Sequence, residues 1–281
     1  SSTEEKAKKA EADKKVRVPE DDKADSLYLT YDPAKGDKWI AGFVQNLHKK
    51  YGFNGNMLVA KDGKIIYEKA VGWANYLLRD SLKINSEFEL ASITKTFTGV
   101  AIMQLVEAGK LNLTDDVKKF YPNFPYDGIT IDLLLSHRSG MMNYVYFIDD
   151  IWRKEKKNMK KGVSNQEVMQ IIAEKKPNPY TKPDRVFHYN NSNFMVLAAI
   201  IEKVTGKRFS QYMMEHVFKP AGMKNTHVYS TNEYEKIPVD VVGHDRTWRY
   251  SVVQNFLDGP VGDKGIYSTL HALVLYDKNL E

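Results

Sequence analysis

A chain of 281 residues is long enough to bury a sizeable core, in one large domain or two intimate ones. Its 41 basic and 36 acidic side chains leave an excess of +5, too small and too scattered for a nucleic-acid surface. No apolar run approaches the roughly 18 residues of a membrane-spanning helix. Cysteine is absent, which excludes disulfides and thiolate metal sites, and the 7 histidines form no His-x-His or His-x-x-x-His pair, which argues against a metal centre.

Residues 1–26 stand apart, with 7 basic and 8 acidic side chains and no aromatic residue. Such a segment buries too little apolar surface to order itself, so it is expected to be a disordered, charged tether ahead of a domain spanning 27–281. It lacks the apolar centre of a signal peptide. Two readings stay open: a lipoprotein whose lipid-bearing cysteine would precede Ser1, giving a membrane tether, or a solubilising tail.

Asp32-Pro33 opens a helical pattern to about Tyr51, with Trp39, Phe43, Val44 and Leu47 on one face. Residues 56–61 and 64–72 read as two strands around Asp62-Gly63, a strong hairpin signal. A nearly continuous apolar run over 100–106, closed by Gly109, marks a buried helix. Short helices are expected after Thr114 and Thr130, and Ser164-Asn165-Gln166-Glu167 is a capping box. Residues 191–204 are helical and strongly apolar, closed by Gly206, and 209–217 gives one more helix. Residues 239–253 suit strands or extended segments, and Ser268-Thr269 caps a last helix. Gly262 to Gly265 reads as a turn. The aromatic cluster of Tyr144, Tyr146, Phe147 and Trp152, with Asn143, reads as a loop that either lines a substrate pocket or forms a packing patch.

Ser92-Ile93-Thr94-Lys95 carries the clearest chemistry. A serine hydroxyl is a poor nucleophile until a neighbour takes its proton. A lysine three residues on, in the first turn of a helix, shares the serine's face and reaches its hydroxyl. Of the 14 serines only Ser92 has a lysine at that spacing. The same residues also suit an N-cap serine followed by a solvated lysine. In Tyr189-Asn190-Asn191, residues two apart in an extended segment point to one side, so Tyr189 and Asn191 can face one cavity. A phenol near an ammonium can relay protons, and a carboxamide can grip a substrate amide.

Together these segments resemble the serine β-lactamase and penicillin-binding protein superfamily, in its branch of class C β-lactamases, DD-carboxypeptidases and esterases. The resemblance runs from about Asn54 to Leu275. It rests on Asn54-Gly55-Asn56 with its hairpin, Phe88 to Thr98 around Ser92, Gly109-Lys110-Leu111, Ser136-His137-Arg138-Ser139-Gly140, Tyr189-Asn190-Asn191, Pro220-Ala221-Gly222-Met223 and Gly265-Ile266-Tyr267-Ser268-Thr269, in that order. It implies an α/β fold with a mostly antiparallel sheet flanked by helices and an inserted all-helical subdomain at about 110–220. It implies that Ser92 is the acyl-forming nucleophile, Lys95 its proton partner, Tyr189 a proton relay, and Asn191 a residue that helps bind Lys95 and the substrate; Tyr144, from the aromatic cluster, is a further candidate substrate-binding residue. No metal or cofactor is implied. The implied substrate is a small molecule or peptidoglycan-type peptide, and the implied setting is the bacterial periplasm or cell envelope. The Ser92 backbone N–H would be one oxyanion donor. The family's later Lys-Thr-Gly or His-x-Gly segment does not occur here, so the resemblance also implies a chain truncated at its C-terminal side, with an incomplete sheet.

Overall fold

The computed structural model describes residues 38–155, 157, 161–252 and 254–280. The charged tether and the expected helix start at Asp32-Pro33 lie outside these residues. Helix α1 spans Lys38–Tyr51, followed by strands β1 (Gly55–Lys61) and β2 (Lys64–Val71). These two form the expected hairpin, with Lys61 opposite Lys64. Asp62 and Gly63 take φ of 50° and 70° at its turn, as a two-residue loop matching strand twist requires. Short strands β3 (Trp73–Asn75), β4 (Asp80–Ser81) and β5 (Phe88–Glu89) lead to a 3-10 turn, Ala91–Ile93, and helix α2, Thr94–Glu107.

Helices α3 (Ile131–Leu135), α4 (Tyr144–Lys154), α5 (Asn165–Lys175), α6 (Asn191–Thr205) and α7 (Phe209–Met213, continued by a π turn to Phe218) follow. Strands β6 (His227–Val228), β7 (Gly243–His244), β8 (Ser251–Val252) and β9 (Ile266–Ser268) precede α8 (Leu270–Lys278).

The core is built on α2 and α6, which pack against each other. Helix α2 buries Phe97, Ala101, Ile102 and Leu105 and leaves Thr96 and Met103 at the surface, whereas α6 is apolar around most of its circumference. In α6 every residue from Ser192 to Ile201 is buried. Each fully buried Leu, Ile or Phe contributes about 1.5–3 kcal/mol, so this helix anchors the molecule. The Asn190 side chain accepts the Ser192 N–H at its start, and Gly206, at φ 70°, ends it. The Ser164/Glu167 capping box forms as expected.

Two expectations are corrected. The strands are all antiparallel, but among the described residues they divide into four small sheets rather than one flanked sheet. Strands β3 to β9 have only two or three residues each, too few to make a continuous ladder. Residues 143–154 are a capped helix, not a loop. Tyr144, Ile148 and Trp152, four apart, bury one stripe, while Asp149–Arg153 and Asp150–Lys154 pair on the outside. On α1 only Val44 is buried, and Trp39 is 71% exposed, stacked on Phe43.

Candidate active site

The approach to Ser92 is held by the sheet: the Leu90 N–H just after β5 donates to the Ile266 carbonyl of β9 at 2.9 Å. Ala91 then takes φ 47°, the left-handed region that costs a non-glycine residue about 1 kcal/mol or more. This bend presents Ser92 on an exposed 3-10 turn immediately before α2, rather than within the first α-helical turn. Lys95, the second residue of α2, is only 6% exposed.

The three N–H bonds of the Lys95 ammonium each have an acceptor. They are Ser92 Oγ at 3.0 Å, Asn191 Oδ1 at 2.9 Å and the Asp263 carbonyl at 2.9 Å. The solvated-lysine reading of the sequence is therefore excluded. Tyr189, half exposed, donates its hydroxyl to the same Ser92 Oγ at 2.8 Å, and its ring centroid lies 4.9 Å from Lys95 Nζ. One serine oxygen thus accepts from a cation and from a phenol. Two such donors favour the oxygen's anionic form over its neutral one. Ser92 can lose its proton to either neighbour once that neighbour is itself deprotonated, because both lie within direct transfer distance.

His137 backs this group. Its ring lies 4.5 Å from the Tyr189 ring and 5.1 Å from Phe194. Nδ1 accepts the Asn190 N–H at 3.1 Å and sits 2.9 Å from Asn193 Nδ2, so the imidazole proton is on Nε2. Burial, together with the Lys95 charge, pushes His137 down to about 4 and keeps it neutral. A cleft of about 600 Å³ opens over Ser92, Lys95, His137 and Tyr189, with Ile93, Leu135 and Phe194 as apolar walls.

The third lysine acceptor was not found in the sequence. Asp263 belongs to the turn between Gly262 and Gly265, which is packed against α6. Gly262 takes φ +104°, and a Cβ there would lie 2.3 Å from Ala198 Cβ. Thr98 of α2 donates to the Gly262 carbonyl at 2.7 Å, tying the turn to the lysine's own helix. The paired glycines were the legible signal, but they mark a bend and say nothing of which carbonyl it aims. Asp263 is fully buried, and burial raises its carboxyl above the usual range against the opposing charges of Lys264 and Lys95.

Tyr144 is a correction. Expected on a substrate-binding wall, it is fully buried and has no surface for a ligand; its hydroxyl donates to Asp263 Oδ2 at 2.9 Å. Asn143 caps α4 by accepting the Val145 N–H. The site thus gathers Ser92, Lys95, Tyr189 and Asn191, and leaves Tyr144 behind it.

A buried helix pair carrying a serine, a lysine and a tyrosine at its edge, against small antiparallel sheets, defines a β-lactamase-like α/β protein. The family model for beta-lactamase matches residues 40–278, and the chain belongs to that family. It is 33% identical over 258 residues to penicillin-binding protein 4* of Bacillus subtilis, covering 86% of this chain and 55% of that protein. Among solved structures it resembles a penicillin-binding protein from Bacillus halodurans, with TM-score 0.71, 27% identity, and 84% and 72% of the two chains covered. The octameric penicillin-binding protein homologue from Pyrococcus abyssi gives TM-score 0.69 and 28% identity, covering 85% of this chain and 55% of that one. The chain spans about half the length of the curated relatives it matches.

Proposed function

We propose that this chain carries the acylating centre of a serine hydrolase that works through an ester on Ser92. The observation that carries the reading is the convergence of Lys95 Nζ and Tyr189 OH on one serine oxygen, at 3.0 and 2.8 Å. Lys95 as the amine, or Tyr189 as the phenolate, takes the Ser92 proton while Oγ attacks a carbonyl carbon. The resulting oxyanion faces the Ser92 backbone N–H, and one such donor is worth roughly 3–4 kcal/mol when well aimed. The tetrahedral adduct collapses as its C–N or C–O bond breaks and Tyr189 returns a proton to the leaving atom. Water then attacks the ester with the same pair as base, releasing the acid and restoring Ser92.

The substrate class is an amide, ester or β-lactam, with D-alanyl peptides of the peptidoglycan type as the natural candidates. Asn191 holds Lys95 and receives the substrate's amide side; the apolar cleft walls take its side chain. A peptidoglycan-type substrate implies work outside the cytoplasm, in the periplasm or cell envelope, with the N-terminal segment as a tether. Residues 27–281 form one such unit, with an inserted helical part at about 110–220. Among the described residues no helix is long and apolar enough to cross a membrane.

Turnover of a chromogenic cephalosporin and of a chromogenic ester tests the reading. Ser92→Ala is expected to reduce whichever the parent hydrolyses by about a thousandfold or more. Ester turnover alone would make the chain an esterase. Ligand binding that survives Ser92→Ala, with no turnover in the parent, would make it a binding protein.

A further inference from the structure

We infer that Tyr144 is a positioning residue: a strut that sets the separation of the two fixed acceptors holding Lys95. The inference rests on the proposed Lys95–Ser92 pair and adds what aims it. Apart from Ser92 itself, the lysine ammonium is gripped by Asn191 Oδ1 and by the Asp263 carbonyl. These two groups come from parts of the chain about seventy residues apart, the N-terminus of α6 and the turn before β9.

Tyr144 touches both. Its backbone N–H donates to Ser192 Oγ at 2.7 Å, on the residue next to Asn191. Its hydroxyl donates to Asp263 Oδ2 at 2.9 Å, on the very residue whose carbonyl receives Lys95. The hydroxyl lies on the ring axis, so rotation about χ2 leaves it in place, and the fully buried side chain has no room to change χ1. The Ser192 hydroxyl in turn donates to the Met142 carbonyl at 2.7 Å, which fixes the α6 end of the strut to the segment leading into α4.

The Asp263 end depends on this contact. Among the described residues its other carboxyl oxygen, Oδ1, is buried with no hydrogen-bond partner, and the tyrosine hydroxyl is the only side-chain donor to the carboxyl group. Removing the hydroxyl leaves a buried carboxyl without a side-chain donor, and such a group shifts or draws in water. A shift at Asp263 moves the adjoining carbonyl and loosens Lys95, and a misplacement of about 1 Å near a reacting group can cost on the order of a hundredfold in rate.

The test cuts the strut from each end and restores it once. Tyr144→Phe removes the donor, Asp263→Ala removes the acceptor, and Asp263→Asn keeps an acceptor oxygen. Two readouts are taken on each folded variant, well below its melting temperature. The first is the Lys95 signal in protein made with lysine labelled by carbon-13 at the ε position, assigned by its loss in Lys95→Arg. The second is acylation by a fluorophosphonate, separated into a rate constant and a half-saturating concentration. The strut predicts that Tyr144→Phe and Asp263→Ala both move the Lys95 signal. Both also lower the acylation rate constant about tenfold or more, with half-saturation changed less than about twofold. Asp263→Asn, which keeps an acceptor for the phenol, should be impaired clearly less than Asp263→Ala in both readouts. A lowered melting temperature with an unmoved lysine signal and parental acylation would reduce Tyr144 to packing and overturn the inference. Equal impairment in Asp263→Asn would also overturn it, by assigning the effect to the carboxylate's charge. If the parent forms no Ser92 adduct, the proposed function fails, while the lysine signal still decides the strut.

Discussion

At Lys95 the chemistry depends on which proton is missing. A lysine can give up a proton and an arginine cannot, so Lys95→Arg keeps the charge and the donors but removes the base. Acylation by a fluorophosphonate is expected to fall about a thousandfold or more in that variant. A near-parental rate would take the lysine out of the mechanism. His137 adds a pH dependence of known sign. Its value in the folded chain, about 4, lies below the ordinary 6.5, so it contributes stability that is present above pH 6.5 and lost as pH falls toward 4. The buried Asp263 carboxyl and the half-buried Glu202 carboxyl are raised and act oppositely, favouring the fold at low pH and losing that contribution as pH rises. The histidine term is therefore read as a difference. Asparagine can place an acceptor where Nδ1 stands, so His137→Asn is expected to lose less melting temperature than the parent between pH 7 and 4.5. Parallel curves would show that His137 does not titrate in this way.

Between the residue and the whole lie the turn 262–265 and the helices it joins. Gly262 is required on two counts, its positive φ and its contact with Ala198. Gly262→Ala is expected to cost about 1–3 kcal/mol, read as a fall in melting temperature, with slowed acylation because Asp263 follows directly. Unchanged acylation in the folded variant would separate the turn from the site. The contrast between α6 and α4 shows what sequence could reveal. Helix α6 was legible because its apolar run and its Gly206 end are both local signals. Helix α4 has an equally clear stripe at Tyr144, Ile148 and Trp152, yet its aromatic content resembled a pocket loop. Spacing was the better guide there than residue type.

Across the whole molecule, what was legible divides along the line between local and long-range contacts. Ser92 and Lys95 are three apart, so their 3.0 Å hydrogen bond follows from helical geometry. Tyr189 and Asn191 were candidates from their own spacing, but their place beside Ser92 came from resemblance, because nothing local brings position 189 to position 92. Asp263 was missed for the same reason, being 168 residues from the lysine it accepts. The sheets were the least legible part. The hairpin at Asp62-Gly63 is a local signal, whereas β5, β9 and β6 pair over long separations through two or three residues each. In 239–253 the β-branched and aromatic residues suggested strands or extended segments, and β7 and β8 pair there across a turn in which Asp245 accepts the Thr247 and Tyr250 N–H groups.

The central claim is that Ser92 is a working nucleophile, and intact mass tests it most directly. The purified chain is weighed before and after exposure to a fluorophosphonate and, separately, to a penicillin, and any adduct is mapped by peptide analysis. The account predicts one added group on Ser92 with each reagent, absent in Ser92→Ala. A folded parent chain that gains no mass with either reagent would contradict it.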